Sequence, residues 1–249
     1  ALSIVETGDR RTYKKYRYDL GINLRKSMRK NLPEVFQDYE KHLHEQNQFL
    51  SYSSARIFYY YTLFRDELTS QSDVIEIGAG YGNLAEIILN KHEIKRYVII
   101  DLPEVMEFSK KRLKNLYPNI KIIEDIDQSR SMKENHVLFV KASDGFSLCN
   151  DRFDLAVNTE SFAEMDLQVS DQYFELLSLI LKPGAKFVSI NRFLRVIGDD
   201  PSQINNLTSP LLNNPKELAI SSMEIDKFRA LFPCFRSEPN LVTFYTKAP

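Results

Sequence analysis

The chain has 249 residues, 43% hydrophobic and 27% charged, enough for one sizeable α/β core with a helical subdomain and too few for two large domains. Its 33 Lys and Arg against 34 Asp and Glu leave a net charge of -1, which argues against a general affinity for polyanions such as DNA. Two cysteines, Cys149 and Cys234, stand far apart and without metal-ligand spacing, which argues against a disulfide framework or a structural zinc site.

No apolar run approaches the ~18–20 residues needed to span a bilayer, and no secretory h-region opens the chain, so a soluble cytoplasmic protein is expected. The sequence begins with Ala1 rather than Met, as a piece of a longer protein would. Residues 1–70 read as a helical region without a convincing strand. Between Arg10 and Lys30 stand nine Arg or Lys and one acid, Asp19, with Tyr13, Tyr16 and Tyr18 among them. Such a stretch is either a solvated helix face or a disordered arm, the preferred readings, or a groove contact for RNA. A helix is predicted from Pro33, with Val35, Phe36, Tyr39 and Leu43 on one face. Another is predicted from Ser53 or Ser54, with Ile57, Tyr61, Phe64 and Leu68 at helical spacing.

From Asp73 the pattern becomes strands alternating with amphipathic helices. The strands read are Val74–Ile77, Tyr97–Ile100, Ile120–Ile123, Val137–Val140, Leu155–Asn158 and Lys186–Ile190, with Lys182-Pro183-Gly184 as a turn. Helices are read at Leu84–Lys91, from Pro103 to about Tyr117, and on Val169, Tyr173, Leu176, Leu177 and Ile180. A helix near Met223–Leu231 then precedes a terminal hairpin whose second strand is Leu241–Thr246. This alternation predicts a mostly parallel sheet covered on both faces, with ligands at the carboxyl ends of its strands. Residues 71–249 form that domain, and 193–222, rich in Pro, Asn and Ser, read as an insertion serving as a lid.

Residues 76–82 read Glu-Ile-Gly-Ala-Gly-Tyr-Gly. Glycines at 78, 80 and 82 allow sharp turns and close approach of backbone to a ligand, at the N-terminus of the next helix. A dinucleotide loop needs its third glycine at position 83, which is Asn, so a nicotinamide or flavin oxidoreductase is disfavoured. Asp101 ends the second strand, where a carboxylate can accept both ribose hydroxyls of a nucleoside. Glu76 can bond loop amides or a ligand's ammonium group, or simply hold the loop.

Glu-x-Gly-x-Gly-x-Gly followed by a strand ending in Asp resembles the first two motifs of class I S-adenosylmethionine-dependent methyltransferases. The resemblance implies a Rossmann-like seven-stranded sheet with an antiparallel last strand. It also implies S-adenosylmethionine as cofactor and S-adenosylhomocysteine as product. Residues 75–85, 100–105, 157–165 and 189–192 further resemble the sugar O-methyltransferase family of bacterial polysaccharide clusters. The matching segments are Ile-Glu-Ile-Gly-Ala-Gly-Tyr-Gly-Asn-Leu-Ala, Ile-Asp-Leu-Pro-Glu-Val, Val-Asn-Thr-Glu-Ser-Phe-Ala-Glu-Met and Ser-Ile-Asn-Arg. That implies a sugar hydroxyl as acceptor, whether free, nucleotide-linked or in a glycan.

The expected cofactor set is Glu76, Gly78, Ala79, Gly80, Tyr81, Gly82, Asp101, Leu102, Asp144, Asn158 and Thr159. Asp144 stands there because many class I enzymes carry an adenine-binding acid after the third strand. Two strands compete for that place, and the other ends in Glu124-Asp125. Phe146 is either an adenine contact or core. Methyl transfer from a neutral hydroxyl calls for a base. Glu164, in the resembling Phe-x-Glu-Met context, is the first choice and Glu160 the second. The two share a face if the stretch is helical. Asn191, Arg192 and Arg56 are candidate acceptor contacts. Glu160, Glu164 and Asp166 offer hard oxygen ligands to a divalent metal, which is admitted but not favoured. His42, His44, His92 and His136 read as surface or helix-end residues. The competing readings are an RNA methyltransferase and a non-catalytic binding protein of the same fold. A homo-oligomer is left open.

Overall fold

The structure is a computed structural model describing residues 22–192, 217–228 and 240–249. Most of the basic stretch, residues 193–216 of the expected lid, Cys234 and the end of the expected 223–231 helix lie outside the described residues. The described residues form two compact units, one of residues 22–62 with Phe228, the other of residues 63–227 with 240–249.

The first unit is helical: α1 (residues 22–31), α2 (Pro33–Glu45) and the greater part of α3 (Tyr52–Phe64). Pro33 opens α2 where a missing N–H costs nothing, and Phe36, Tyr39 and Leu43 are buried at the predicted spacing. Tyr39 stacks on Phe58 with ring centroids 4.2 Å apart. His42, read as a surface or helix-end residue, lies in the last turn of α2 but is buried there and stacks on Tyr39. Arg25 and Arg29 of the basic stretch pair with Glu40, which leaves less free charge for a polyanion than the sequence suggested. The start of α3 is also corrected. Ser51, not Ser53 or Ser54, is the cap: Ser54 N donates to Ser51 Oγ at 3.0 Å and Ser51 N to Ser54 Oγ at 2.8 Å, a reciprocal box.

The second unit is an eight-stranded sheet in the order β3-β4-β2-β1-β5-β6-β8-β7. The strands are β1 (Asp73–Ile77), β2 (Arg96–Asp101), β3 (Lys121–Ile123), β4 (His136–Lys141), β5 (Phe153–Thr159), β6 (Leu181–Arg192), β7 (Leu218–Ile225) and β8 (Asn240–Lys247). β3, β4, β2, β1, β5 and β6 run parallel, while β8 is antiparallel to both β6 and β7. The antiparallel last strand is as expected. The count is eight rather than seven because the three-residue β3 adds an outer edge beside β4. The expected 182–184 turn lies within β6 as a register irregularity around Gly184, whose φ is +80°. Met223 begins no helix, since 218–225 pair with β8 as the edge strand.

Helices α4 (Asn83–Lys91), α5 (Pro103–Leu116), α6 (Ile126–Ser131) and α7 (Leu167–Ile180) complete this unit. Strands β1, β2 and β4 are buried almost end to end, as parallel strands covered on both faces must be. Ile75, Ile77, Val98, Ile100, Leu138 and Val140 join Phe162, Tyr173, Phe174 and Leu177 in one core. Each large apolar side chain buried this way contributes roughly 1.5–3 kcal/mol. Val74, Glu76, Tyr97 and Ile99 have the opposite parity in the β1·β2 register and share the other face. At the amino ends Arg96 bonds Asp73 at 3.1 Å and Asp151 at 2.5 Å and lies over the Phe153 ring. His136, read as a surface or helix-end residue, is neither: it begins β4 and is buried with its ring between Ser129 Oγ and the Glu134 carbonyl.

From β1 the chain builds outward through β2 to β4 and β3, then crosses back to β5. The carboxyl ends of β1 and β5 therefore flank the switch point of the sheet, where α/β folds open a crevice.

Candidate functional site

Residues 78–82 turn the chain from β1 into α4. Gly78, Gly80 and Gly82 have φ of +74°, +55° and +73°, conformations that L side chains rarely adopt. Gly78 is constrained twice over. A Cβ built there would lie 2.1 Å from Ser161 Oγ. Gly80 faces open space, with nothing within 4 Å of such a Cβ. The first turn of α4 has no side-chain cap, so its amides face the loop end of the crevice with the positive end of the helix dipole.

Asp101 ends β2 beside this loop. Its Oδ2 accepts from Gly80 N at 2.9 Å and its Oδ1 from Leu102 N at 2.8 Å. Burial raises its pKa, opposed by the amides of Gly80, Leu102 and Ala79. Tyr81 and Leu102 are half exposed, and the Tyr81 ring packs against Phe108 of α5 at 5.6 Å.

Glu76 is 1% exposed and accepts from the Tyr97 hydroxyl at 2.7 Å on Oε2, rather than from a loop amide. Burial pushes its carboxyl up to about 7, and the nearby Asp101 charge adds to the rise. Tyr97 was not singled out in the sequence. The signal was its place two residues along from Ile99, the residue opposite Glu76, hence on the same sheet face.

The two strands competing to be third are both present. β4 lies next to β2, so the segment Ala142–Leu148 after it, carrying Asp144 and the exposed Phe146, flanks the Asp101 end. Ser143 Oγ donates to Asp144 at 2.8 Å. Glu124 and Asp125 lie one strand further out, where Glu124 pairs with Lys110 and Asp125 caps α6 through Gln128 N.

On the far side of β1 the end of β5 forms a buried polar cluster. Asn158 Nδ2 donates to the Ile77 carbonyl at 2.8 Å and to Ser161 Oγ at 2.5 Å, and its Oδ1 accepts from Asn191 Nδ2 and Phe162 N. Asn191 Oδ1 accepts in turn from Ala163 N. Asn191, expected to contact acceptor, is 3% exposed, and its amide is committed to fixing the segment after β5. Thr159 is buried beside Asn158 at the end of β5.

Glu160 and Glu164 do not share a helical face. Glu160 has φ +67°, and only Phe162–Glu164 form a short 3₁₀ turn before α7. The Glu160 amide donates to the Ile190 carbonyl at 2.7 Å, and its Oε1 accepts from Asn240 Nδ2 at 2.9 Å. Glu164 is exposed at the end of the turn. Arg192 is exposed at the end of β6, directly opposite Asn240 in the β6·β8 register. Arg56 belongs to the helical unit, with its guanidinium 5.2 Å from the Tyr52 ring centroid. No group of three or more His, Cys, Asp or Glu among the described residues is placed to hold a metal ion. No helix among them is long and apolar enough to cross a membrane.

The switch point thus brings together a glycine loop and two desolvated carboxyls, with Glu160 and Glu164 in the segment after β5. No family model matches the sequence, nor does any curated protein. Solved structures do match the fold. A S-adenosylmethionine-dependent methyltransferase from Methanosarcina mazei superposes with a TM-score of 0.53 at 13% identity, covering 76% of this chain and 98% of that one. A candidate sarcosine dimethylglycine methyltransferase from Galdieria sulphuraria gives 0.52 at 13%, covering 79% and 85%. A Pyrococcus horikoshii protein gives 0.52 at 13%, covering 80% and 92%. At these identities the likeness is one of fold, a Rossmann-like sheet of the methyltransferase type.

Proposed function

We propose that the chain is an S-adenosylmethionine-dependent O-methyltransferase whose acceptor is a sugar hydroxyl. The observation that carries this reading is the bond from Gly80 N to Asp101, which sets a glycine loop and a ribose-type acid together at the switch point of a methyltransferase fold. The residues present suit that cofactor. Glu76 and Asp101 are both raised by burial, and no cation pairs with either among the described residues. A ligand carrying a sulfonium and an ammonium supplies the missing positive charge. Asp101 would hold the ribose and the side-chain-free backbone of the 78–82 loop would let the methionine portion approach closely, with Glu76 beneath. Leu102, Phe146 and Asp144 would border the adenine.

When bound, the cofactor supplies an electrophilic methyl group. An acceptor oxygen forms the new O–C bond as the C–S bond breaks, and the hydroxyl proton passes to a carboxylate on the β5 rim. Glu160 suits that role better than Glu164, because Asn240 and the Ile190 carbonyl hold it in place while Glu164 stands in solvent. The four segments that resemble sugar O-methyltransferases end β1, β2, β5 and β6, four strands that are contiguous in the sheet. That supports reading them as one site.

The test is a panel of sugars and nucleotide sugars incubated with labelled methyl donor. Transfer to at least one sugar is expected, with Glu160→Gln slower by about 10²–10⁴-fold and Glu164→Gln changed far less. The reverse order would make Glu164 the base. Donor binding without transfer to any sugar would remove the sugar reading.

A further inference from the structure

The ends of β5, β6 and β8 bring an acid, an amide and a cation together. Glu160 follows β5, Arg192 ends β6, and Asn240 begins β8 opposite Arg192. Directly opposed residues of an antiparallel pair have Cα atoms about 4.5–5.5 Å apart, so Arg192 stands within side-chain reach of the group that holds Glu160. Yet the acid takes its hydrogen bond from the neutral Asn240 Nδ2 at 2.9 Å. Arg192 pairs with no carboxylate among the described residues.

Glu160 is held in this arrangement against its own backbone preference. Its φ is +67°, a left-handed conformation that disfavours a non-glycine residue. Its amide donates to the Ile190 carbonyl and its carboxylate accepts from Asn240, and both bonds help to fix it. A cation beside an acid that bonds elsewhere keeps its full charge and its forked donors for an anion arriving from solvent.

We infer that the acceptor carries an anionic group, a phosphate or a carboxylate, and that Arg192 binds it while the acceptor hydroxyl faces Glu160. This rests on the methyltransferase reading and narrows its acceptor from sugars in general to acidic or phosphate-linked ones.

The test uses the full chain saturated with S-adenosylhomocysteine, so that the nucleoside site is filled. Uridine diphosphate, glucuronate and glucose are then titrated by calorimetry. At least one of the two anions should bind tenfold or more tighter than glucose, and which one does separates a phosphate from a carboxylate. Arg192→Met should reduce that advantage by tenfold or more. Lys133→Met, the same charge change on an exposed residue before β4, should leave it within twofold. Anions binding no better than glucose, or equally well to Arg192→Met, would overturn the inference and leave the cofactor reading standing. Failure of S-adenosylhomocysteine to bind at all would reject both.

Discussion

The amide of Gly80 donates to Asp101 Oδ2 at 2.9 Å, so the carboxylate that closes β2 also holds the glycine loop. A carboxylate has about four acceptor positions, and the amides of Gly80, Leu102 and Ala79 leave room for a ribose hydroxyl. Asp101→Asn keeps the shape but loses the charge and one acceptor. Each hydrogen bond to a charged group is worth about 1.5–3 kcal/mol, so S-adenosylhomocysteine affinity should fall by roughly 10–100-fold. Calorimetry on a variant with unchanged melting would read it.

Gly78 and Gly80 differ in what surrounds them. Gly80→Ala meets no neighbour and suffers only from its positive φ, a loss of about 1–2 kcal/mol. Gly78→Ala adds a collision with Ser161 Oγ and Cβ and should cost several kcal/mol, on the order of 4. Ser161→Gly removes the obstructing atoms, so the double variant should melt above Gly78→Ala alone. Equal melting of the two single alanine variants would contradict the packing described.

Much of the loop was legible in the sequence, because glycine spacing, a preceding apolar run and an acid at the next strand end are all local signals. What lies beneath it was not. Ser161 fills the space under Gly78, and Tyr97 holds Glu76, through contacts between distant segments that no periodicity reports. Residues 223–225 read as the start of a helix near Met223–Leu231, whereas pairing with β8 decides the segment. The β5 acids were visible as a cluster. Their separation by a left-handed residue at Glu160 was not, since nothing in a glutamate predicts positive φ.

Glu76 gives the stability a pH slope. Its carboxyl titrates near 4.5 when unfolded and about 7 in the fold. Between these values the folded chain keeps a proton that the unfolded chain has lost. The contribution is therefore fully present below about pH 4.5, declines as pH rises, and is gone above about pH 7, a span of about 3 kcal/mol. Glu76→Gln should remove that component, read as the difference between the two pH profiles of denaturant unfolding. Parallel profiles would contradict it.

The Tyr245 hydroxyl is buried without a hydrogen-bond partner among the described residues, and its ring packs on Phe187 and Phe174. Burial raises its pKa far above the usual value. Tyr245→Phe keeps the stacking and removes the orphaned group, so stability should be unchanged or higher by about 1 kcal/mol. A loss above that in denaturant unfolding would point to a partner for the hydroxyl.

The loop from Gly78 to Gly82, locked by Asp101, is the proposed seat of S-adenosylmethionine. Titration of the full chain with S-adenosylmethionine and, separately, with NAD measures this directly. Saturable binding of one S-adenosylmethionine per chain, weakened by Asp101→Asn, and no binding of NAD are expected. Binding of NAD, or no binding of S-adenosylmethionine by a folded chain, would contradict it.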